Sequence, residues 1–426
     1  MMLTELERRK QAVQLYYYQH CSKAEICRQL SCNRAWVDRW LNRYDPDRVE
    51  RSLQNRKPGP EHGSSRWSES LRQQVLDMRR SRSQREQWPY ALKGAEAIHY
   101  ELQALGVSPV PPIRTIHSWL VSTNLVPSRQ ATSAVRERTH FPSPQPEAVN
   151  QIQQLDLKGP LYLRGSCQKS YLVVLRDRYS HRCAIQALQS REAAAIVEFL
   201  VASWQWLGVP TYLQMDNALE FRGSNRYPRC FGQVVRVAVD LGVEPLFNPP
   251  HEPWRNGGVE RHNGFLEKRL LSIDFTDFTA LTREVQNCQE ACNATHRVAA
   301  FGGLTPNQVA DQVTRRLLSP TYTRYQRRLS QTGGFVTFIR LVRKSGRITL
   351  GAGDRFMVDP DLAYTYVVAR VDLARQCVTI SQHLNEERIR TYDYSADTVG
   401  KWAEDNDEHD RIKEQQCTMN SCTSEH

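Results

Sequence analysis

The stretch from residue 150 to 270 constrains the fold most. Three short runs rich in Leu, Val and Ile (IQQLDL, KSYLVVLRD, RCAIQAL) precede an amphipathic helical segment, REAAAIVEFLVASWQWLG, closed by Gly208. TYLQMD then reads as a strand, GQVVRVAVDLG as a helix, VEPLFN as another strand, and a further helix begins near Gly257. Short apolar runs between turn residues mark strands, while helical spacing of apolar residues marks helices. Three strands followed by alternating helix and strand predict an α/β layer fold with a mixed sheet, each apolar face covered by another layer.

The residues before this core have a different pattern. Residues 4–44 predict three short helices. Ser22 and Glu25 form a capping box, the helix it starts runs to Leu30, and Ser31-Cys32-Asn33 is a tight turn with Asn33 as the next cap. The following helix buries Trp36, Val37, Trp40 and Leu41 and turns Arg34, Asp38, Arg39, Asn42 and Arg43 outward. Two helices joined by a short turn, the second carrying basic and amide groups outward, make a helix-turn-helix; a plain bundle with solvated arginines is the alternative. A similar unit follows, with Leu71, Val75 and Met78, then Ile98, Leu102 and Leu105, then Ile113, Ile116, Trp119 and Leu120 expected inward. Its last helix leaves Arg114, Thr115, His117 and Ser118 to reach base edges.

These patterns predict helix-turn-helix domains at 1–50 and 68–126, with linkers at 51–67 and 127–148, both rich in Pro and Ser. The α/β core spans 149–310 and a helical linker 311–332. Five short strands at 333–395, split by tight turns, predict a small β-barrel, and 396–426 is a polar, disordered tail.

Charge separates the same regions. The chain of 426 residues has a formal net charge of +11. Its first 148 residues hold 23 Lys and Arg against 15 Asp and Glu, so the excess sits where a DNA-reading module is expected. Eleven cysteines without a dense framework read as reduced thiols, and neither a secretory signal nor a spanning apolar segment is recognisable. A cytoplasmic protein is expected, with no membrane partner.

Three carboxylates stand out by context. Asp156 lies inside a strand (QLDLKG), Asp216 ends one (QMDNALEF), and Glu260 opens a helix after NPPHEPWRNGG. A carboxylate cluster without a Cys/His ligand set favours Mg²⁺ or Mn²⁺, whose chemistry suits phosphodiesters. Three surface acids of no function are the competing reading. Asp177 fits a structural cap, Glu220 an orienting group, and Glu267 sits two helical turns past Glu260, too far to share its ion. His251 and His262 flank Glu260 and fit polar lining. Cys288 and Cys292 stand one helical turn apart, the spacing of half a zinc site, with no second pair recognisable.

Taken together and in order, QLDLKG, QMDNALEF and PPHEPWRNGGVERHNGFLEK resemble the three blocks of the retroviral-integrase-type core of bacterial insertion-sequence transposases. The resemblance implies a ribonuclease-H-like fold in which Asp156, Asp216 and Glu260 hold two Mg²⁺ (or Mn²⁺) ions. It matches Asn217 to the family's Asp-Asn pair, Asn256, Gly257 and Arg261 to the loop and helix start, and Asn293, Arg297 and Thr305-Pro306 to the segment after the core. It implies double-stranded DNA as partner, both element ends and target, a homo-multimer on that DNA, and a nucleoid-associated bacterial setting. Two features depart from the pattern. The second Asp and the Glu are more widely spaced than is usual, and Trp254 follows Pro253 where the family has Gln. The retroviral members' separate His/Cys zinc module has no counterpart here.

Phosphate contacts are expected from Lys158, Arg255, Arg261, Lys268 and Arg269, and from Arg340, Arg343, Lys344 and Arg347 on a C-terminal hairpin. The expected activity is hydrolysis at the ends of a mobile element and joining of the 3′-hydroxyl to target DNA. A non-catalytic DNA-binding regulator and a nuclease that cuts without joining are the alternatives.

Overall fold

The computed structural model describes residues 4–55, 66–84, 86–126, 141–223, 229–250, 252, 257–326, 333–351, 353–384 and 388–396, with backbone alone at 257–261 and 388. It divides into two compact units, Met1–Ser68 and Glu69–His426. None of the described helices is long and apolar enough to cross a membrane.

The first unit holds α1 (Glu5–Val13), α2 (Lys23–Gln29), α3 (Arg34–Leu41) and α4 (Val49–Leu53). Ser22 and Glu25 cap α2 reciprocally, and Asn33 accepts the Trp36 N–H at 2.8 Å to start α3. Ile26, Val37, Trp40, Leu41 and Leu53 pack together around α1. Trp36 is only half-buried, whereas Arg34 and Arg39 are exposed as the pattern predicts.

The second unit begins with α5 (Glu69–Ser81), α6 (Ala95–Ala104) and α7 (Ile113–Ser122), packed around Val75, Ile98, Leu102, Ile116 and Leu120. Leu105 and Ile113, expected inside, are exposed, because they fall at the end of α6 and the start of α7. These helices rest on the core that follows. The Tyr90 hydroxyl donates to Glu284 at 2.5 Å, and Glu101 pairs with both Arg82 and Arg297.

The core has strands β1 (Ile152–Tyr162), β2 (Lys169–Asp177), β3 (Cys183–Leu188), β4 (Tyr212–Met215) and β5 (Glu244–Phe247). With them run α8 (Ala193–Trp204), α9 (Leu219–Arg222), α10 (Gln233–Asp240), α11 (Gly257–Arg269), α12 (Phe278–Thr295) and α13 (Pro306–Ala310). Antiparallel β1, β2 and β3 pass into parallel β1, β4 and β5. Alternation along β2 assigns the two faces. Val173 and Leu175 join the α8 and α10 side, while Leu172 and Val174 join Leu266 of α11 and Val285 of α12.

The C-terminal strands are β6 (Phe335–Leu341), β7 (Arg347–Leu350), β8 (Asp354–Met357), β9 (Tyr366–Asp372), β10 (Cys377–Ser381) and β11 (Arg388–Asp393). They correct the expected separate barrel. β6 pairs in parallel with β5, and β9, β10 and β11 follow it, giving one nine-stranded sheet; β7 and β8 form a hairpin of their own. The open edge of the fully buried β5 needs a partner for its backbone groups, and β6 supplies one. Glu244 fastens the junction, accepting from Thr337 at 2.5 Å and from Arg370 at 2.6 Å. Phe247 stacks on Phe338 across it, ring centroids 5.0 Å apart.

Candidate metal and nucleic-acid site

β1 and β4 are parallel neighbours, with Gln153 opposite Leu213 and Gln154 opposite Gln214. The Gln154 side-chain amide donates to Gln214 at 3.1 Å, so both point to one face. Asp156 and Asp216 lie two residues further along each chain, which returns them to that face side by side. Asp216 is the residue after the last of β4, and the charge of Asp156 reaches it. Burial pushes the Asp216 carboxyl above its ordinary value, against an opposing hydrogen bond from Ala218, and the charges of Asp156 and Glu220 push the same way. Two acids crowded in a part-buried patch are electrostatically costly until a cation joins them.

The amide ladder continues sideways. Gln214 donates to Asn248 Oδ1 at 2.8 Å just past β5, and Asn217 donates to the Asn248 carbonyl at 2.6 Å. The turn after Asp216 is therefore held from below. From the other side comes α11. Asn263 donates its Nδ2 to Asp156, while its Oδ1, also buried, has no hydrogen-bond partner. Glu260 stands three residues earlier on the same helix. Its side chain and that of Arg261 lie outside the described residues, as do Trp254, Arg255, Asn256 and His251 altogether.

The C-terminal extension enters the site through Arg340 of β6. Expected to hold phosphate from a C-terminal hairpin, it is instead 4% exposed. Its guanidinium donates to Asn217 Oδ1 at 2.8 Å, to the Asn248 carbonyl at 3.1 Å and to the Thr349 carbonyl at 3.0 Å. Burial lowers its pKa to about 9, which leaves it charged at neutral pH. The sheet extension explains this reversal: pairing β6 with β5 turns an apparent surface arginine into a strut under the Asp216–Asn217 turn. Arg343, Lys344 and Arg347 remain exposed on the β6–β7 turn.

The other predicted residues are scattered. Lys158 pairs with Glu267 at 2.5 Å on the flank of α11, Lys268 is exposed, and Arg269 donates to the Ala91 carbonyl at 3.4 Å. On α7, Arg114 and His117 are exposed and Thr115 is half-buried. On α3, Arg34 is exposed beside Asp38; half-buried Arg43, two residues past its end, lies over Trp40 at 5.0 Å. Asp177 is a structural acid: fully buried, it accepts from the Asn150 and Ser180 N–H groups, and burial raises its pKa. Glu220 pairs with Arg191 at 3.2 Å.

Sequence reasoning missed Gln154, Gln214, Asn248 and Asn263. One signal was present, since a glutamine stands two residues before each aspartate.

Fold and site together define a mixed α/β sheet with Asp156 in β1, Asp216 just past β4, and α11 bonded to Asp156 through Asn263. Residues 7–58 match the family model described as the putative ATPase subunit of terminase (gpP-like), a match confined to the N-terminal helical unit. A comparison with curated proteins finds no match. Among solved structures, the chain is similar to the HTLV-2 integrase catalytic core domain in complex with magnesium, at 18% identity and a TM-score of 0.29, covering 38% of this chain and 98% of that one. It is similar to the BIV integrase catalytic core domain at 18% identity and a TM-score of 0.30, covering 38% and 95%. It is also similar to a simian T-cell lymphotropic virus intasome in complex with the PP2A regulatory subunit B56 gamma, at 17% identity and a TM-score of 0.34, covering 54% and 76%. At such scores the likeness decides nothing about chemistry.

Proposed function

We propose that this chain is a metal-dependent DNA transposase of the integrase type, with Asp156, Asp216 and Glu260 as its metal ligands. The observation that carries the reading is that Asp156 and Asp216 each stand two residues beyond the paired Gln154 and Gln214 of β1 and β4, close enough for the charge of Asp156 to act on Asp216, with α11 fastened to Asp156 through Asn263. Hard oxygen donors, a carboxyl disfavoured as an anion, and the orphaned Asn263 Oδ1 beside them fit a divalent cation and its waters. Bound Mg²⁺ or Mn²⁺ would activate the attacking oxygen and stabilise the departing one.

The protein's own work is positioning. Asn263 orients Asp156, the Ala218 N–H orients Asp216 at 2.9 Å, and Arg340 with Asn248 holds Asn217. In the first step a water oxygen bonds to phosphorus at the element end and a free 3′-hydroxyl departs. In the second that hydroxyl oxygen attacks a target phosphodiester and displaces another 3′-oxygen, so the number of phosphodiesters is conserved. Arg34, Arg39, Arg43, Arg114, Thr115 and His117 would read the ends, and Lys158, Asn256, Arg261, Lys268 and Arg269 would hold strands near the acids. Joining two ends calls for a multimer.

A labelled DNA end tests this reading. Mg²⁺-dependent cleavage that Asp216→Asn abolishes without loss of DNA binding is expected; cleavage unaffected by the substitution contradicts the metal assignment. A pre-cut end separates transfer from cutting: joined products are expected, and their absence reduces the protein to a nuclease.

A further inference from the structure

On the face of the sheet covered by α11 and α12 lies a second group of chemically capable side chains. Cys183 opens β3, His262 is on α11 and Cys292 is on α12. All three are buried, and one ligand atom of each lies within 4.8 Å of the others. Tetrahedral zinc, with bonds of about 2.3 Å to sulfur and 2.0 Å to nitrogen, sets its ligand atoms roughly 3.5–3.8 Å apart. A contraction of at most about 1.3 Å would close the set. A fourth sulfur is at hand, since fully buried Cys288 adjoins Cys292 one turn earlier on α12.

Two readings compete for these residues. Thiols alone pack well as small apolar groups, and Cys288 and Cys292 belong to the apolar cluster there. The imidazole does not fit that account. His262 is 8% exposed and its Nε2 has no hydrogen-bond partner. A ring that is hydrogen-bonded to Cys183 yet leaves its Nε2 buried without a partner, with sulfur atoms from two other elements close by, is better explained as a ligand. The backbone around Cys183 is also held firmly. Asn293 accepts its N–H at 2.9 Å and donates to its carbonyl at 2.7 Å, fixing β3 against α12. Soft sulfur and imidazole donors select zinc over the magnesium expected at the carboxylates, and full burial fits a closed structural site.

We infer that Cys183, His262 and Cys292 form a structural zinc site joining β3, α11 and α12, which Cys288, outside that close set, would complete by a shift of its side chain. It ties down the helix that carries Glu260, two residues before His262, and stands independently of the proposed carboxylate site.

The test is elemental analysis of the full-length protein, purified without strong chelators. About one zinc per chain is expected, retained in Asp216→Asn and in Cys167→Ser, whose cysteine is exposed. Cys183→Ser and Cys292→Ser should each lose most of it. Protein produced in cobalt-supplemented medium should show thiolate-to-cobalt charge-transfer absorption, which the carboxylate site cannot give. Where a serine variant fails to fold, this wild-type spectrum decides. Wild-type protein that carries no zinc and gives no such absorption overturns the inference. So does zinc that is lost from Asp216→Asn or Cys167→Ser and kept in Cys292→Ser.

Discussion

Replacing Arg340 by lysine keeps a positive charge in place and removes the planar fork that bridges several acceptors. In the folded protein that fork reaches Asn217 Oδ1, the Asn248 carbonyl and the Thr349 carbonyl at once. The Asn248 carbonyl keeps the Asn217 amide, but Asn217 Oδ1 and the Thr349 carbonyl lose this donor. At roughly 1–3 kcal/mol for each buried acceptor left unsatisfied, the cost is about 2–6 kcal/mol, reduced by whatever bond the ammonium makes. For a unit this large each kcal/mol lowers the melting temperature by about 2–4 °C, so a fall of about 4 °C or more is expected where the ammonium makes no compensating bond. The functional effect follows from Asn217, which adjoins Asp216. Displacing a reacting group by about 1 Å costs on the order of a hundredfold in rate. Calorimetry and single-turnover cleavage of a labelled DNA end, with binding measured alongside, give both numbers. Cleavage within about twofold of wild type, with the melt lowered, would refute the positioning role and leave Arg340 purely structural.

Asp216→Asn should leave metal-free stability unchanged or raised. The folded-state carboxyl has a raised pKa, so the stability linked to its protonation is fully present below the ordinary carboxylate range and is lost as pH rises through the elevated value. The neutral amide avoids that loss, and thermal melts at pH 7 with and without Mg²⁺ should show no metal-induced gain for the variant. Asn263→Ala removes the bond to Asp156 and should weaken apparent Mg²⁺ affinity by about 10–100-fold in a cleavage titration; an unchanged titration curve counts against its orienting role. Gly303→Ala should destabilise by more than about 1 kcal/mol, because φ is +87° there and a Cβ would stand 2.2 Å from the Tyr100 ring; an unshifted melt would mean that α6 does not rest on this turn.

Local rules carried the reading where local forces decide. The Ser22–Glu25 capping box and the Asn33 cap form as their spacing indicates, because each joins groups within one turn. The strand and helix alternation from β1 to α11 follows the apolar period, and Asp156 and Asp216 share a face by counting along two strands. Partner choice was not legible. Short strand-like runs split by tight turns identified β6 and β9, yet nothing local told β6 to pair with β5 instead of closing a barrel. Arg340 was misplaced for the same reason. The Cys183, His262 and Cys292 group is assembled from three elements far apart in the chain, so Cys288 and Cys292 alone looked like half a site. Asn263 was hidden because an amide in a helix carries no distinguishing pattern until the strand opposite is known.

Anomalous diffraction from crystals grown with Mn²⁺ and a DNA end tests the central claim most directly. The account predicts two peaks about 3.5–4 Å apart, contacting Asp156 and Asp216 with Glu260 completing the set. DNA bound and cleaved with manganese elsewhere, or with no density at these carboxylates, would contradict it.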